Sequence, residues 1–262
     1  MRKLTKHKAT HLSLANSLSN SWYKTLNLIF PISCRFCNKI ITDNNYICKE
    51  CYKNISFLPN ALNVYFSKYN NNLPELNYHI HDSYFLLPEN PSIIYIKIYS
   101  AVLYDEITRK IVTQFKYNGH IFLSKLIESL ISKVHSNLFK KYDLLIAVPL
   151  HPLKFLNRGF NQSAEIARLL SKQHEINFRA DLIKRIKYTK PATELSRSDR
   201  FINLSQAFEV VAKYRSFIQN KKILLFDDVY TTGATTKSIV LELLKYHPNV
   251  VDVLTFARTP LT

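Results

Sequence analysis

Glycine is nearly absent, three in 262 residues, where ordinary usage gives about 18. The three stand in Lys116-Tyr-Asn-Gly119, Arg158-Gly-Phe-Asn-Gln162 and Thr231-Thr-Gly-Ala-Thr235. A chain so poor in glycine keeps it where the backbone leaves little choice. Acids are also scarce: 19 Asp and Glu face 36 Lys and Arg, for a formal charge of +17. A field of that sign attracts nucleic acid, anionic membrane or phosphorylated small molecules. A Lys- and Asn-rich host composition explains much of the lysine, less easily the shortage of acids. No apolar run approaches the roughly 18 residues of a membrane-spanning helix, which excludes an integral helical membrane protein. At the N-terminus Arg2, Lys3, Lys6 and Lys8 lack a following apolar core or cleavage site, so no secretion signal is expected and the cytoplasm is the expected compartment. With 47% hydrophobic and 21% charged residues, the composition is that of a globular chain of one large or two smaller domains.

All four cysteines fall in one stretch, Cys34-Arg-Phe-Cys37 and Cys48-Lys-Glu-Cys51. Two such pairs offer four thiolates to a tetrahedral Zn²⁺, a closed and therefore structural site. Two disulfides are disfavoured in a reducing compartment, and a thioredoxin-like redox pair needs only one such motif. Asn38 follows the first pair, where such a knuckle often needs a positive φ that Asn tolerates. A small hairpin turning at Asp43, Asn44 and Asn45 is expected between the pairs.

Four regions are expected. Residues 1–30 form a basic arm and a docking helix, with Trp22, Leu26, Ile29 and Phe30 at helical spacing before Pro31. Residues 31–57 form the four-cysteine zinc-finger module. Residues 58–92, with an Asn run and three prolines, form a linker or insertion. Residues 93–262 alternate strand-like segments (93–99, 144–148, 182–187, 222–226, 250–256) with helix-like ones (104–114, 123–133, 163–172, 235–245). That alternation predicts an α/β domain around a mainly parallel sheet.

The most informative segment runs from Lys222 through Thr235. An apolar strand, 223–226, ends in Asp227 and Asp228; Thr231, Thr232, Gly233, Ala234 and Thr235 lead into a helix. Backbone N–H groups at such a helix start, with the helix dipole, make a phosphate site. The Gly-Lys-Ser/Thr ending of a Walker loop and the Gly-x-Gly-x-x-Gly dinucleotide turn are both missing. Paired acids beside a phosphate cradle suit sugar hydroxyls, which donate to them, and a hydrated Mg²⁺, which neutralises them. Together these describe a ribose 5-phosphate site, with Asp227 and Asp228 as the candidate catalytic acids.

Residues 223–235 resemble the 5-phosphoribosyl-1-pyrophosphate (PRPP) motif of type I phosphoribosyltransferases. Ala147-Val-Pro-Leu-His-Pro152, Arg158-Gly-Phe-Asn-Gln162, the stretch 189–208 and Val251-Asp-Val-Leu-Thr-Phe-Ala-Arg258 look like successive signatures of the ComF family of competence proteins, in which a Cys-x-x-Cys module precedes such a domain. The resemblance implies a type I phosphoribosyltransferase-like fold and a role in natural transformation. Incoming single-stranded DNA would be handled at the inner face of the cytoplasmic membrane, with a competence helicase and DNA-loading proteins as partners and PRPP with Mg²⁺ as ligand. It also marks Leu150–Pro152 as the loop for the pyrophosphate end, with Pro149, Leu150 and His151 as candidate ligand contacts. The second cysteine pair of some relatives is missing, and Thr189-Lys-Pro-Ala192 stands where many read Thr-x-x-Gln.

Arg158 suits bidentate phosphate binding, and Asn161 suits a helix cap. Lys116 is a candidate phosphate or DNA contact. Seven basic residues against three acids lie between Arg179 and Arg200, so Lys184, Arg185, Lys187 and Lys190, with Arg158, are further nucleic-acid candidates. No general base or nucleophile stands out, so turnover is left open; positioning and electrostatics can carry a phosphoribosyl transfer.

Overall fold

The computed structural model describes residues 33–34, 36–41, 46–67, 77–79, 93–117, 123–152, 155–156, 159–187 and 207–260. The chain divides into two compact units, Met1–Asn54 and Ile55–Thr262.

In the first unit, the described residues form a knuckle and one short helix, α1 (Lys49–Lys53). Asn38 adopts φ 58°, as its place after Cys37 suggests. Its N–H returns to the Cys34 carbonyl at 2.9 Å, while Ser33 and Ile40 form an antiparallel bridge. The expected turn at Asp43, Asn44 and Asn45 lies outside the described residues, as do residues 1–30.

The second unit contains, in chain order, β1 (Leu62–Ser67), β2 (Asn77–His79), β3 (Ile93–Leu103), α2 (Glu106–Tyr117), α3 (Leu123–His135), β4 (Leu144–Ala147), α4 (Gln162–His174), β5 (Phe178–Arg179), β6 (Ile183–Arg185), β7 (Phe208–Val210), α5 (Arg215–Ile218), β8 (Lys222–Tyr230), α6 (Ala234–Leu244) and β9 (Val250–Arg258). The main sheet has the order β2-β1-β3-β9-β8-β4-β5. From β3 to β5 every neighbouring pair is parallel, as the alternating segments predict. Residues 58–92 depart from the expected linker: β1 pairs antiparallel with β3 from Leu62↔Ile98 to Ser67↔Ile93, and β2 pairs with β1. The alternation of buried Leu62 and Val64 with less buried neighbours carries this strand, and the Asn and Pro content nearby masks it. The segment expected at 182–187 leaves the main sheet as β6, which forms a separate antiparallel ribbon with β7.

A parallel strand covered on both faces reads as a continuous apolar run, and Ile223, Leu224, Leu225 and Phe226 are all fully buried. Ile223 and Leu225 join Ile146, Val253, Ile239, Val240 and Leu243 in one cluster with α6. Leu224 and Phe226 are buried outside it, on the side where α4 packs on β4 and β8. The acids depend on one mismatch of strand length. β4 pairs with β8 only as far as Ala147↔Phe226, whereas β9 follows β8 to Tyr230↔Arg258. Asp227 and Asp228 therefore lie within β8, not after it, and beyond the carboxyl end of β4.

Candidate phosphoribosyl and metal sites

The four cysteine sulfurs lie within 4.8 Å of one another, with Cys37 Sγ 3.7 Å from Cys48 Sγ. Sulfurs at tetrahedral corners about 2.3 Å from a Zn²⁺ stand roughly 3.8 Å apart, so the cluster fits that ion. All four are free thiols. The knuckle supplies Cys34 and Cys37, while Cys48 caps α1, its Sγ accepting from Cys51 N–H at 3.4 Å. Burial opposes the Cys34 thiolate, yet backbone N–H groups of Cys37, Cys48 and Phe36 bring its pKa down to about 6. Burial and the neighbouring sulfurs push Cys51 well up.

At the carboxyl edge of the sheet, β8 presents the paired acids and the chain turns into α6. Gly233 is the residue before that helix, at φ 72°, a conformation that costs residues with a Cβ. Thr231 is exposed, Thr232 and Thr235 are half-buried, and Ala234 is buried at the helix start. The Gly233 carbonyl accepts from Lys237 N–H at 2.8 Å, which begins the helical ladder.

Asp227 and Asp228 are half-buried. Asp227 Oδ1 accepts from Asp228 N–H at 2.9 Å and from Ser163 Oγ at 3.3 Å. Asp228 Oδ1 accepts from Val229 N–H at 2.7 Å, and its Oδ2 meets the Lys116 ammonium at 2.7 Å. Burial, then the charge of Asp228, raises the Asp227 pKa to about 7, against the pull of Lys116, Asp228 N–H and Ser163. Lys116 thus sits on an acid, where a ligand or DNA contact is expected; the last turn of α2 brings it there. Among the described residues the cysteines alone form a group of three or more metal-capable side chains, and Asp227 and Asp228 offer a pair of carboxylates.

Pro149 is buried and Leu150 and His151 are half-buried, just past β4. Asn161 caps α4, its Oδ1 accepting from Ser163 and Ala164 N–H at 3.1 and 3.4 Å. Its Nδ2 donates to the Val148 carbonyl at 3.1 Å, tying the loop to the helix. Arg158 and Lys190 lie outside the described residues. Lys184 is exposed and paired with Glu209 at 3.3 Å. Lys187 is exposed. Arg185 lies over the Phe208 ring at 5.5 Å; burial lowers its pKa, and the charge of Asp227 opposes that shift. An open groove of ~700 Å³ beside the loop is lined by Phe155, Leu156, Phe160, Arg168, Lys184 and Arg185, among others. Sequence reasoning misses Ser163, whose signal is its place in the first turn after the Asn161 cap. It also misses the exposed Phe155 and Leu156, which carry no periodic signal.

No protein-family model matches the chain. It is 26% identical over 226 residues to Competence protein F of Haemophilus influenzae, covering 82% of this chain and 97% of that protein. Competence protein ComFC of Streptococcus pneumoniae is 29% identical over 154 residues, 59% of this chain and 64% of its own length. The chain is thus similar to competence proteins of the ComF kind, over nearly the whole length of the first. A third relative, the DNA utilization protein YhgH of Escherichia coli O157:H7, is 32% identical over 117 residues, 45% of this chain and half of that protein. The match thus spans nearly all of one ComF relative but less than two thirds of the other two. Solved structures with a similar arrangement include a hypoxanthine phosphoribosyltransferase from Staphylococcus aureus, with TM-score 0.34 and 20% identity, covering 52% of this chain and 65% of that one. A purine phosphoribosyltransferase from Pyrococcus horikoshii gives TM-score 0.34 and 19% identity, covering 52% and 75%. Among the described residues, no helix of this chain is long and apolar enough to cross a membrane.

Proposed function

We propose that this protein is a competence factor of the ComF family that handles incoming single-stranded DNA at the cytoplasmic side of the membrane. Its phosphoribosyltransferase-like domain binds a PRPP-like ligand, and its four cysteines hold a structural Zn²⁺. One observation carries the ligand reading: Asp227 and Asp228 stand past the end of β4, directly before the Gly233 turn into α6. In this reading the 5-phosphate takes the backbone N–H groups at the start of α6, where the helix dipole favours it. The ribose hydroxyls donate to the acids. Pro149, Leu150 and His151 flank the pyrophosphate end. Lys184, Arg185, Lys187 and the cations at 158 and 190 contribute to backbone neutralisation of DNA. The relatives' names, competence protein and DNA utilization protein, support the biological setting.

Calorimetric titration of the zinc-replete protein with PRPP, and separately with short single-stranded oligonucleotides, tests both halves. Saturable binding of each is expected, with oligonucleotide affinity falling steeply as salt rises. Absence of PRPP binding removes the ligand reading, and absence of oligonucleotide binding at low salt removes the DNA reading. A second reading, turnover of PRPP onto a base or amine, is favoured by Asp227, whose pKa of about 7 suits a proton acceptor at neutral pH. Pyrophosphate release across a panel of acceptors tests it; activity surviving D227N and D228N together rules out these acids as its machinery.

A further inference from the structure

Lys116 closes the last turn of α2 and reaches β8, where its ammonium lies 2.7 Å from Asp228 Oδ2. The two side chains are 24% and 16% exposed, so salt and water screen the pair far less than a surface bridge. Every other hydrogen bond described for the two carboxylates comes from a donor fixed by backbone or helix: Val229 N–H, Asp228 N–H and Ser163 Oγ. Among the described residues, Asp227 Oδ2 accepts no hydrogen bond, which leaves an acceptor edge beside a carboxylate already oriented by a cation. When both are ionised, two adjacent carboxylates repel, and one ammonium reduces the site from two negative charges to one. Mg²⁺ is ordinarily held by one or two carboxylates together with waters and ligand phosphates; here one carboxylate oxygen, Asp228 Oδ2, is already engaged by Lys116.

We infer that Lys116 is the resident counter-ion of the Asp227–Asp228 pair, so that these acids accept the vicinal hydroxyls of a phosphoribosyl ligand without a divalent cation. This rests on the phosphoribosyl reading above and adds the source of the neutralising charge. Lys116 acts through Asp228 and is a positioning residue.

Ribose 5-phosphate is the discriminating probe, because it carries the diol and the phosphate but no pyrophosphate to bring its own metal. It is titrated calorimetrically into full-length zinc-replete wild type, K116M and K116R. The buffer is stripped of divalent cations beforehand, without a chelator that would compete for the cysteine site, then supplemented with millimolar Mg²⁺. The wild type is expected to bind equally under both conditions. K116M is expected to bind about tenfold or more weakly without Mg²⁺ and to recover with it, as the loss of one charge-assisted contact predicts. K116R is expected to follow the wild type. Wild-type binding that requires Mg²⁺, or K116M binding that matches wild type in its absence, overturns the inference while leaving the phosphoribosyl reading intact. Failure of the wild type to bind under either condition overturns both. The wild-type comparison needs no variant, so misfolding of K116M does not shelter the proposal.

Discussion

Asp227→Asn is expected to stabilise the protein in alkaline buffer and to leave it unchanged in acid. The ordinary aspartate pKa is about 3.9, and burial with the neighbouring Asp228 raises this one to about 7. The folded protein therefore holds a proton that the unfolded chain releases between about pH 4 and pH 7. Its stabilising effect is complete below the lower value and is lost as the pH climbs through the upper one. Three pH units correspond to about 4 kcal/mol as an upper bound, and partial exposure of the carboxyl brings the expected figure nearer 2 kcal/mol. Asparagine keeps an oxygen for Asp228 N–H and Ser163 Oγ, now at 2.9 and 3.3 Å, and leaves Lys116 on Asp228. Urea unfolding of zinc-replete wild type and D227N, followed by circular dichroism at pH 4 and pH 8, reads the effect. The variant should gain about 2 kcal/mol at pH 8 and about nothing at pH 4. An equal difference at both pH values, or a less stable variant at pH 8, refutes the assigned cause.

Three further outcomes are expected. Zinc content by mass spectrometry should be about one ion per chain and fall sharply in C37S or C51S, since each removes one of four clustered sulfurs. Gly233→Ala should cost about 1 kcal/mol in urea unfolding because the residue sits at φ 72°, and should weaken PRPP binding in the same calorimetric assay. Asn161→Ala should cost about 1–2 kcal/mol, while Asn161→Asp, which keeps the acceptor for Ser163 and Ala164 but loses the donor to Val148, should cost less.

The parallel strands were legible because burial on both faces leaves no polar position inside them, as in Ile223 through Phe226. Helix starts were legible where a cap is chemically distinctive, as at Asn161. The knuckle was legible because Asn38 follows a cysteine pair, and it takes the positive φ that this place suggests. Strand ends were not: β8 runs on to Tyr230 because β9 keeps pairing with it, a property of the partner strand that is invisible in residues 222–230 alone. The fate of Lys116 was equally hidden. A lysine 112 positions before its acid is indistinguishable from a solvated one until the fold brings α2 and β8 together. Strands β1 and β2 were missed because their neighbours' turn-rich composition outweighs a short alternation.

One border strand of the main sheet, β5, is only two residues long. A long open border is a template on which another chain can add a strand. A border as brief as β5 offers few spare backbone donors and acceptors, so a second copy finds little to hydrogen-bond against there. So trimmed a margin discourages cross-molecular β-pairing wherever copies of the chain are brought close together.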